Sequence, residues 1–131
     1  SRKGALYPHA EQTLATLSKS YPLYIASNGQ VDYLQAIVET YQLEQFIKGT
    51  YSIQSIASGH KSDLVKKVMQ DNGIQDGAVV GDRSSDIQAA RDNELLSIGV
   101  RFDFAQDHEL QQAHIVIDDI TELLNIEIGS L

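Results

Sequence analysis

Short apolar runs alternate along this chain with longer segments whose apolar residues recur at helical spacing, and this alternation restricts the available folds more than any other feature. Leu23-Tyr24-Ile25-Ala26, Ala78-Val79-Val80-Gly81, Leu96-Ser97-Ile98-Gly99-Val100 and His114-Ile115-Val116-Ile117-Asp118 are strand candidates, with a weaker one in Phe46 to Ile53 around Thr50-Tyr51-Ser52-Ile53. Between them lie helical patterns. Pro8 stands just inside the first, which carries Ala10, Leu14 and Leu17 and ends at Tyr21-Pro22. Leu34, Ile37, Val38 and Tyr41 form the stripe of a second, and Leu64, Val65, Val68 and Met69 that of a third, which starts at Ser62 and closes at Asn72-Gly73. Further helices are expected at Asp86 to Asn93 and at Ile120 to Asn125. Strands apolar on both faces and separated by amphipathic helices require a parallel sheet covered on both sides. The expected fold is therefore α/β: a doubly wound, Rossmann-like parallel sheet with helices on both faces.

At 131 residues and 42% hydrophobic content the chain builds one core, and residues 1–131 are read as a single domain. Its net charge of -8 repels a phosphate backbone, and the ten Lys and Arg residues are scattered, so nucleic acid is excluded as a partner. There is no cysteine, hence no disulfide framework and no thiolate metal site. No apolar run reaches membrane-spanning length and no signal-peptide pattern opens the chain, so the expected location is the cytoplasm, away from the membrane.

Three places combine a strand end or helix start with polar groups suited to a phosphate. At Ser27-Asn28-Gly29 a hydroxyl, an amide and the free N-H groups of a helix start can donate to phosphate oxygens; the same residues are also common in ordinary turns. Lys61 enters a helix, where the macrodipole disfavours a cation, so either an anionic partner holds it or it is a solvated lysine in a loop. In Gly81-Asp82-Arg83-Ser84-Ser85-Asp86, two carboxylates follow a strand, at the edge where open parallel sheets bind ligands. They offer a seat for a hard cation such as Mg2+, with Asp82 facing the ligand and Asp86 behind it, bonded to a metal-bound water or a lysine. The plainer alternative is that Asp86 or Ser84 caps the helix and Asp82 solvates the loop.

In this order and at these intervals, Ser27-Asn28, Lys61 and Gly81-Asp82-Arg83-Ser84-Ser85-Asp86 resemble the second, third and fourth signature motifs of the haloacid dehalogenase-like hydrolases. The similarity extends to Ala89-Ala90-Arg91, the strand Ser97 to Val100, His114 to Asp118 and Glu122-Leu123-Leu124, and Leu6-Tyr7-Pro8 looks like the re-entry of that family's chain into its core after the cap. The phosphoglycolate-phosphatase-like branch is the most similar one. The resemblance implies hydrolysis of a small phosphorylated metabolite, a phosphate monoester, through a covalent aspartyl-phosphate, with Mg2+ as cofactor. It implies Asp82 as a metal ligand, and Asp86 as a ligand through water or a group behind it. Ser27 would donate to the transferring phosphoryl group with Asn28 and Gly29 helping to bind it, and Lys61 would stabilise the charge on nucleophile and phosphate.

The family's first motif, an Asp-x-Asp pair at the end of its first strand, is not found in the 131 residues. Phe102-Asp103-Phe104-Ala105 has alanine where the second acid belongs, and Asp118-Asp119 leads into the last helix and caps it. The cap that follows the first strand is missing too. The chain is thus expected to be part of a phosphatase, inactive alone, with the N-terminal segment of the same protein as its partner; the alternative is a non-catalytic phosphate-binding or protein-interaction module. In the resembled fold the first strand lies between the one ending at Ser27 and the one ending at Asp82. Three outcomes are expected: the two flanking strands pair directly, a second copy fills the gap, or the first strand is present without belonging to these 131 residues; a slot of roughly 10 Å, two strand spacings, would favour the latter two.

Overall fold

The computed structural model describes residues 9–29, 33–101 and 107–128. The expectations for Leu6 to Pro8 and for Phe102 to Ala105 fall outside them. Helix α1 (Ala10–Ser20) leads to strand β1 (Tyr24–Ser27), α2 (Tyr33–Thr40), β2 (Gly49–Ser52), α3 (Lys61–Asn72), β3 (Ala78–Gly81), α4 (Ser84–Asp92), β4 (Leu96–Val100) and β5 (Ile115–Ile117). Short 3-10 turns occupy Glu44–Phe46, Ile53–Ser55, Asp107–Leu110 and Ile120–Asn125. The alternation of strand and helix is as the sequence patterning requires, and the fold is α/β with parallel strands. No helix among the described residues is long and apolar enough to cross a membrane.

Element ends follow local chemistry. At the end of α1 the Tyr21 N-H donates to Leu17 O (2.8 Å), and Pro22 cannot continue the ladder. Gly73 closes α3 in the left-handed region at φ 64°, a conformation that favours glycine, and the following Ile74 N-H reaches back to Met69 O (2.9 Å). The last segment departs from expectation: Ile120–Asn125 is a 3-10 helix, not an α-helix. Side chains three apart eclipse in that geometry, so Ile120 and Leu123 both enter the core. Asp119 caps this segment, accepting from Thr121 N-H (2.9 Å), while Glu122 returns to the Asp119 N-H (2.9 Å).

Two apolar clusters lie on opposite faces of the strands. Leu96, Ile98 and Val100 of β4 pack with Leu17, Ile37, Val38, Ile120 and Leu123 on one side, and Val65, Ala89, Ala90 and Leu95 form the other cluster with Val79. Helices α1 and α2 thus cover one face, and α3 and α4 the other, as a doubly wound arrangement demands. β4 is buried throughout, including Ser97. Ser97 N-H donates to His114 Nδ1 (3.0 Å), and its hydroxyl accepts from the His114 N-H (2.8 Å), which ties β4 to the entrance of β5.

The strands form two sheets. In one, β1 pairs with β2 in parallel, Ile25 opposite Thr50; in the other the order is β3-β4-β5, again parallel, with Val80 opposite Ile98 and Val100 opposite Ile117. No ladder joins β1 to β3 among the described residues. Direct pairing of Ala78 to Gly81 with Leu23 to Ala26, one of the three expected outcomes, is therefore not what the chain does. A cavity of about 490 Å3 lies between the two strands, bordered by Tyr24 to Ala26 on one side and Ala78 to Val80 on the other.

Candidate active site

The carboxyl ends of β1 and β3 meet at Lys61. This lysine is the first residue of α3, is only 8% exposed, and sends its ammonium to two places. Nζ donates to the Ala26 carbonyl (2.5 Å), next to Ser27 at the end of β1, and lies 3.0 Å from Asp86 Oδ1 on α4. The solvated-lysine alternative is thereby excluded. A cation at a helix start is disfavoured by the dipole and by burial, and here a carboxylate and a carbonyl oppose both terms.

Asp86 combines the two roles that the sequence left open. Its Oδ2 accepts the Arg83 N-H (3.3 Å), which satisfies one orphan donor at the start of α4, while Oδ1 holds Lys61. Only glycine at position 81 permits this, because a Cβ built there would run into the Asp86 carboxyl group. Gly81 thus fixes the site although it carries no functional group, and its place in the motif was the signal. Asp82 follows directly, at the end of β3 and 8% exposed. It does not lie out in solvent.

The Ser27-Asn28-Gly29 corner sits at the edge of the same region. Ser27 and Asn28 are half-buried and Gly29 is exposed. Gly29 takes φ +86°, a value that side-chain-bearing residues rarely adopt, and its N-H donates to Ser27 Oγ (3.3 Å). The hydroxyl thus shapes the turn, as the plainer reading requires, and keeps its proton to donate elsewhere. The β1 corner and the acid loop are brought together through Lys61.

One residue escaped the sequence reading. Glu109 Oε1 accepts from both the N-H and the hydroxyl of Ser84 (3.2 Å each), and Arg83 Nε stands 3.7 Å from the same oxygen. It caps α4 from the 3-10 turn after β4, and no local pattern announces a partner so distant in sequence.

For the Mg2+ implied by the resemblance, the donors at this place are Asp82 and Asp86. Asp86 is already neutralised by Lys61, and among the described residues no cluster of three or more His, Asp or Glu side chains is placed to hold a metal ion. Mg2+ requires six oxygens in near-octahedral array, some of which water and substrate phosphate supply. These residues make part of such a site and not a whole one.

Comparison with known proteins points to one family. Residues 2–100 fit the family model for haloacid dehalogenase-like hydrolases. Among solved structures, a haloacid dehalogenase-like family hydrolase from Streptococcus pneumoniae is 22% identical with a TM-score of 0.74, over 91% of this chain and 58% of that one. A predicted phosphatase from Clostridium acetobutylicum is 26% identical, with a TM-score of 0.73 and the same two coverages. A predicted phosphoglycolate phosphatase from Haemophilus somnus shares the fold at 19% identity and a TM-score of 0.72, over 91% and 56%. The chain therefore spans less than two thirds of the length of these structures. No curated protein matches it. With residues 2–100, most of its length, fitting the family model, the chain belongs to the haloacid dehalogenase-like hydrolases.

Proposed function

We propose that this chain is part of the core domain of a Mg2+-dependent phosphomonoester hydrolase of the phosphoglycolate-phosphatase-like branch, acting in the cytoplasm on a small phosphorylated metabolite. The nucleophile is an aspartate outside the 131 residues, which forms an aspartyl-phosphate. The observation that carries the reading is the position of Lys61, whose buried ammonium joins the end of β1, beside Ser27, to Asp86 of the acid loop. A preorganised cation in a dry site stabilises the charge that builds on an attacking carboxylate and a phosphoryl group.

In this reading the Ser27 hydroxyl and Asn28 orient the phosphate, and Gly29, whose N-H goes to Ser27 Oγ, shapes the corner that presents them, since donors at a strand end followed by a helix suit an anion. Asp86 holds Lys61 in place, and Gly81 leaves the room for it. Asp82, with Asp86 through water, would contribute to holding Mg2+, which when bound offsets repulsion between nucleophile and phosphate. The isolated chain is inactive because nothing in it can attack phosphorus. Supporting the reading are the family match and the contacts of Lys61 with the Ala26 carbonyl, next to Ser27, and with Asp86, four residues after Asp82.

The test is an assay with p-nitrophenyl phosphate and Mg2+ on two proteins, the isolated chain and the same chain joined to an upstream segment carrying Asp-x-Asp. The first should give no turnover and the second should. Asp-dependent turnover by the isolated chain, or a folded joined protein inert toward a panel of phosphomonoesters, would overturn the proposal.

A further inference from the structure

Lys61 is a long side chain on a helix end, and α4 holds it at both of its extremes. The ammonium pairs with Asp86 in the first turn of that helix. The backbone stands at the first position of α3, where helices fray, and His60 ahead of it offers no side-chain cap. This turn is secured from the other end of α4. Asn93, which closes α4, uses its side-chain amide twice: Nδ2 donates to Ala89 O (2.8 Å) in its own helix and to the carbonyl of Ser62 (2.9 Å), the residue after Lys61. Ser62 Oγ in turn donates to Asp92 Oδ2 (2.6 Å), whose other oxygen accepts from Gln88 Nε2 (2.7 Å).

Asp92 is disfavoured by its own helix. An acid that ends α4 opposes the dipole there, while beside the start of α3 the same charge is favoured, and hydrogen bonds from Ser62 and then Gln88 hold its carboxyl below the usual carboxylate range. Asp86, Ala89, Ala90 and Asn93 follow one another at i, i+3, i+4 and i+7, which is one face of α4. The two alanines are fully buried and pack with Val65 of α3. Side chains this small let α3 come close enough for the polar groups at both ends of that face to reach its first two residues.

We infer that Asn93, with Asp92 beside it, is a positioning residue for Lys61: it fixes the backbone that carries the ammonium, as Asp86 fixes the ammonium itself. Asp86 and the Ala26 carbonyl set where Nζ rests, but a four-carbon stem whose backbone shifts meets them through strained rotamers or at poorer angles. A cation displaced by about 1 Å loses much of its effect on developing charge. The catalytic consequence rests on the hydrolase reading, whereas the hold on Lys61 is a property of the chain alone.

Trace labelling of the intact chain with acetic anhydride reads the exposure of each lysine amine. Asn93→Ala should raise acetylation of Lys61 about fivefold or more, and quicken exchange of the Leu64 N-H in the first turn of α3, while Lys67 stays at its wild-type rate. Ser97→Ala loosens the fold elsewhere and should leave Lys61 as protected as in the wild type. Ser62→Ala should repeat part of the gain and Ser62→Thr, which keeps the hydroxyl, should not, so the hold is tested even where Asn93→Ala fails to fold. In the chain joined to an added Asp-x-Asp segment, Asn93→Ala should lower kcat about tenfold with KM within about twofold, and should add nothing in a Lys61→Met background. Unchanged Lys61 labelling in Asn93→Ala, an equal rise in Ser97→Ala, or a full further loss of kcat on top of Lys61→Met overturns the inference. An inert joined protein whose Lys61 labelling follows the expected pattern counts against the hydrolase reading and leaves the hold on Lys61 standing.

Discussion

Lys61 Nζ lies 3.0 Å from Asp86 Oδ1, with side chains 7% and 5% exposed, across the junction between the first helix after β2 and the first turn after β3. A pair so enclosed behaves differently from the surface pair Lys67 and Asp71, both of whose side chains are 42% exposed. Its two members depend on one another. Removing one leaves the other as an uncompensated buried charge.

Single substitutions Lys61→Met and Asp86→Asn should each destabilise the fold by about 3 kcal/mol, and the double substitution should cost clearly less than their sum. Urea unfolding of the three variants checks this. Additive effects, or single losses near those of surface pairs, below about 1 kcal/mol, would show that the pair is not sequestered.

Gly81→Ala should destabilise by about 1–3 kcal/mol, because its Cβ and the Asp86 carboxyl group claim the same space. The added cost of Gly81→Ala should shrink in an Asp86→Ala background. Thermal unfolding of the two-by-two set gives the coupling, and an undiminished cost would place the clash elsewhere.

Thr121 N-H and hydroxyl both donate to Asp119, the backbone bond being the stronger cause, and hold its carboxyl below the usual carboxylate range. A depressed folded value means that the carboxylate stabilises the fold at pH well above 3.8, its ordinary value, and that this contribution fades as pH falls below it. Asp119→Ala should therefore cost about 0.5–2 kcal/mol at neutral pH and progressively less as acid titrates the wild-type group. Stability curves for both proteins between pH 7 and 2 should converge at the acid end.

Ser97 is wholly buried and satisfies both the amide and the ring of His114. Ser97→Ala leaves the His114 amide without that acceptor and should cost about 1–3 kcal/mol. Hydrogen exchange at His114 should rise before global unfolding. Unchanged exchange there would mean that the contact does not secure β5.

In the chain joined to an added upstream segment carrying Asp-x-Asp, as in the assay proposed above, Lys61→Met should lower kcat by about a hundredfold or more with a smaller change in KM, as expected of a group that acts on developing charge. Equal loss in binding and turnover would recast Lys61 as a ground-state binder.

The strand and helix alternation was legible because burial on both faces leaves a continuous apolar signature, as in Leu96 to Val100, and amphipathic helices leave a periodic one, as in Leu64 to Met69. Lys61 stood out because a cation at a helix start needs a counter-charge. Glu109 did not, since a cap delivered from a remote turn leaves no local trace. Nor did the 3-10 geometry of Ile120–Asn125, because residues three apart occur in both helix types.

The amino-acid sequence by itself determined the parallel α/β class, the motif order Ser27, Lys61, Asp82 and Asp86, and the absence of an Asp-x-Asp pair within the 131 residues. Tertiary structure decided how those pieces meet. Whether Asp86 caps a helix or holds a lysine was settled only when α3 and α4 packed side by side and one carboxylate did both. Whether β1 and β3 close upon each other was likewise decided by the packed chain, in which no ladder joins them and a cavity lined largely by apolar side chains, with Lys61 among its walls, is bordered by both. Pairing across a sheet is a non-local property of the packed chain, and no local pattern in Leu23 to Ala26 or Ala78 to Gly81 specifies it.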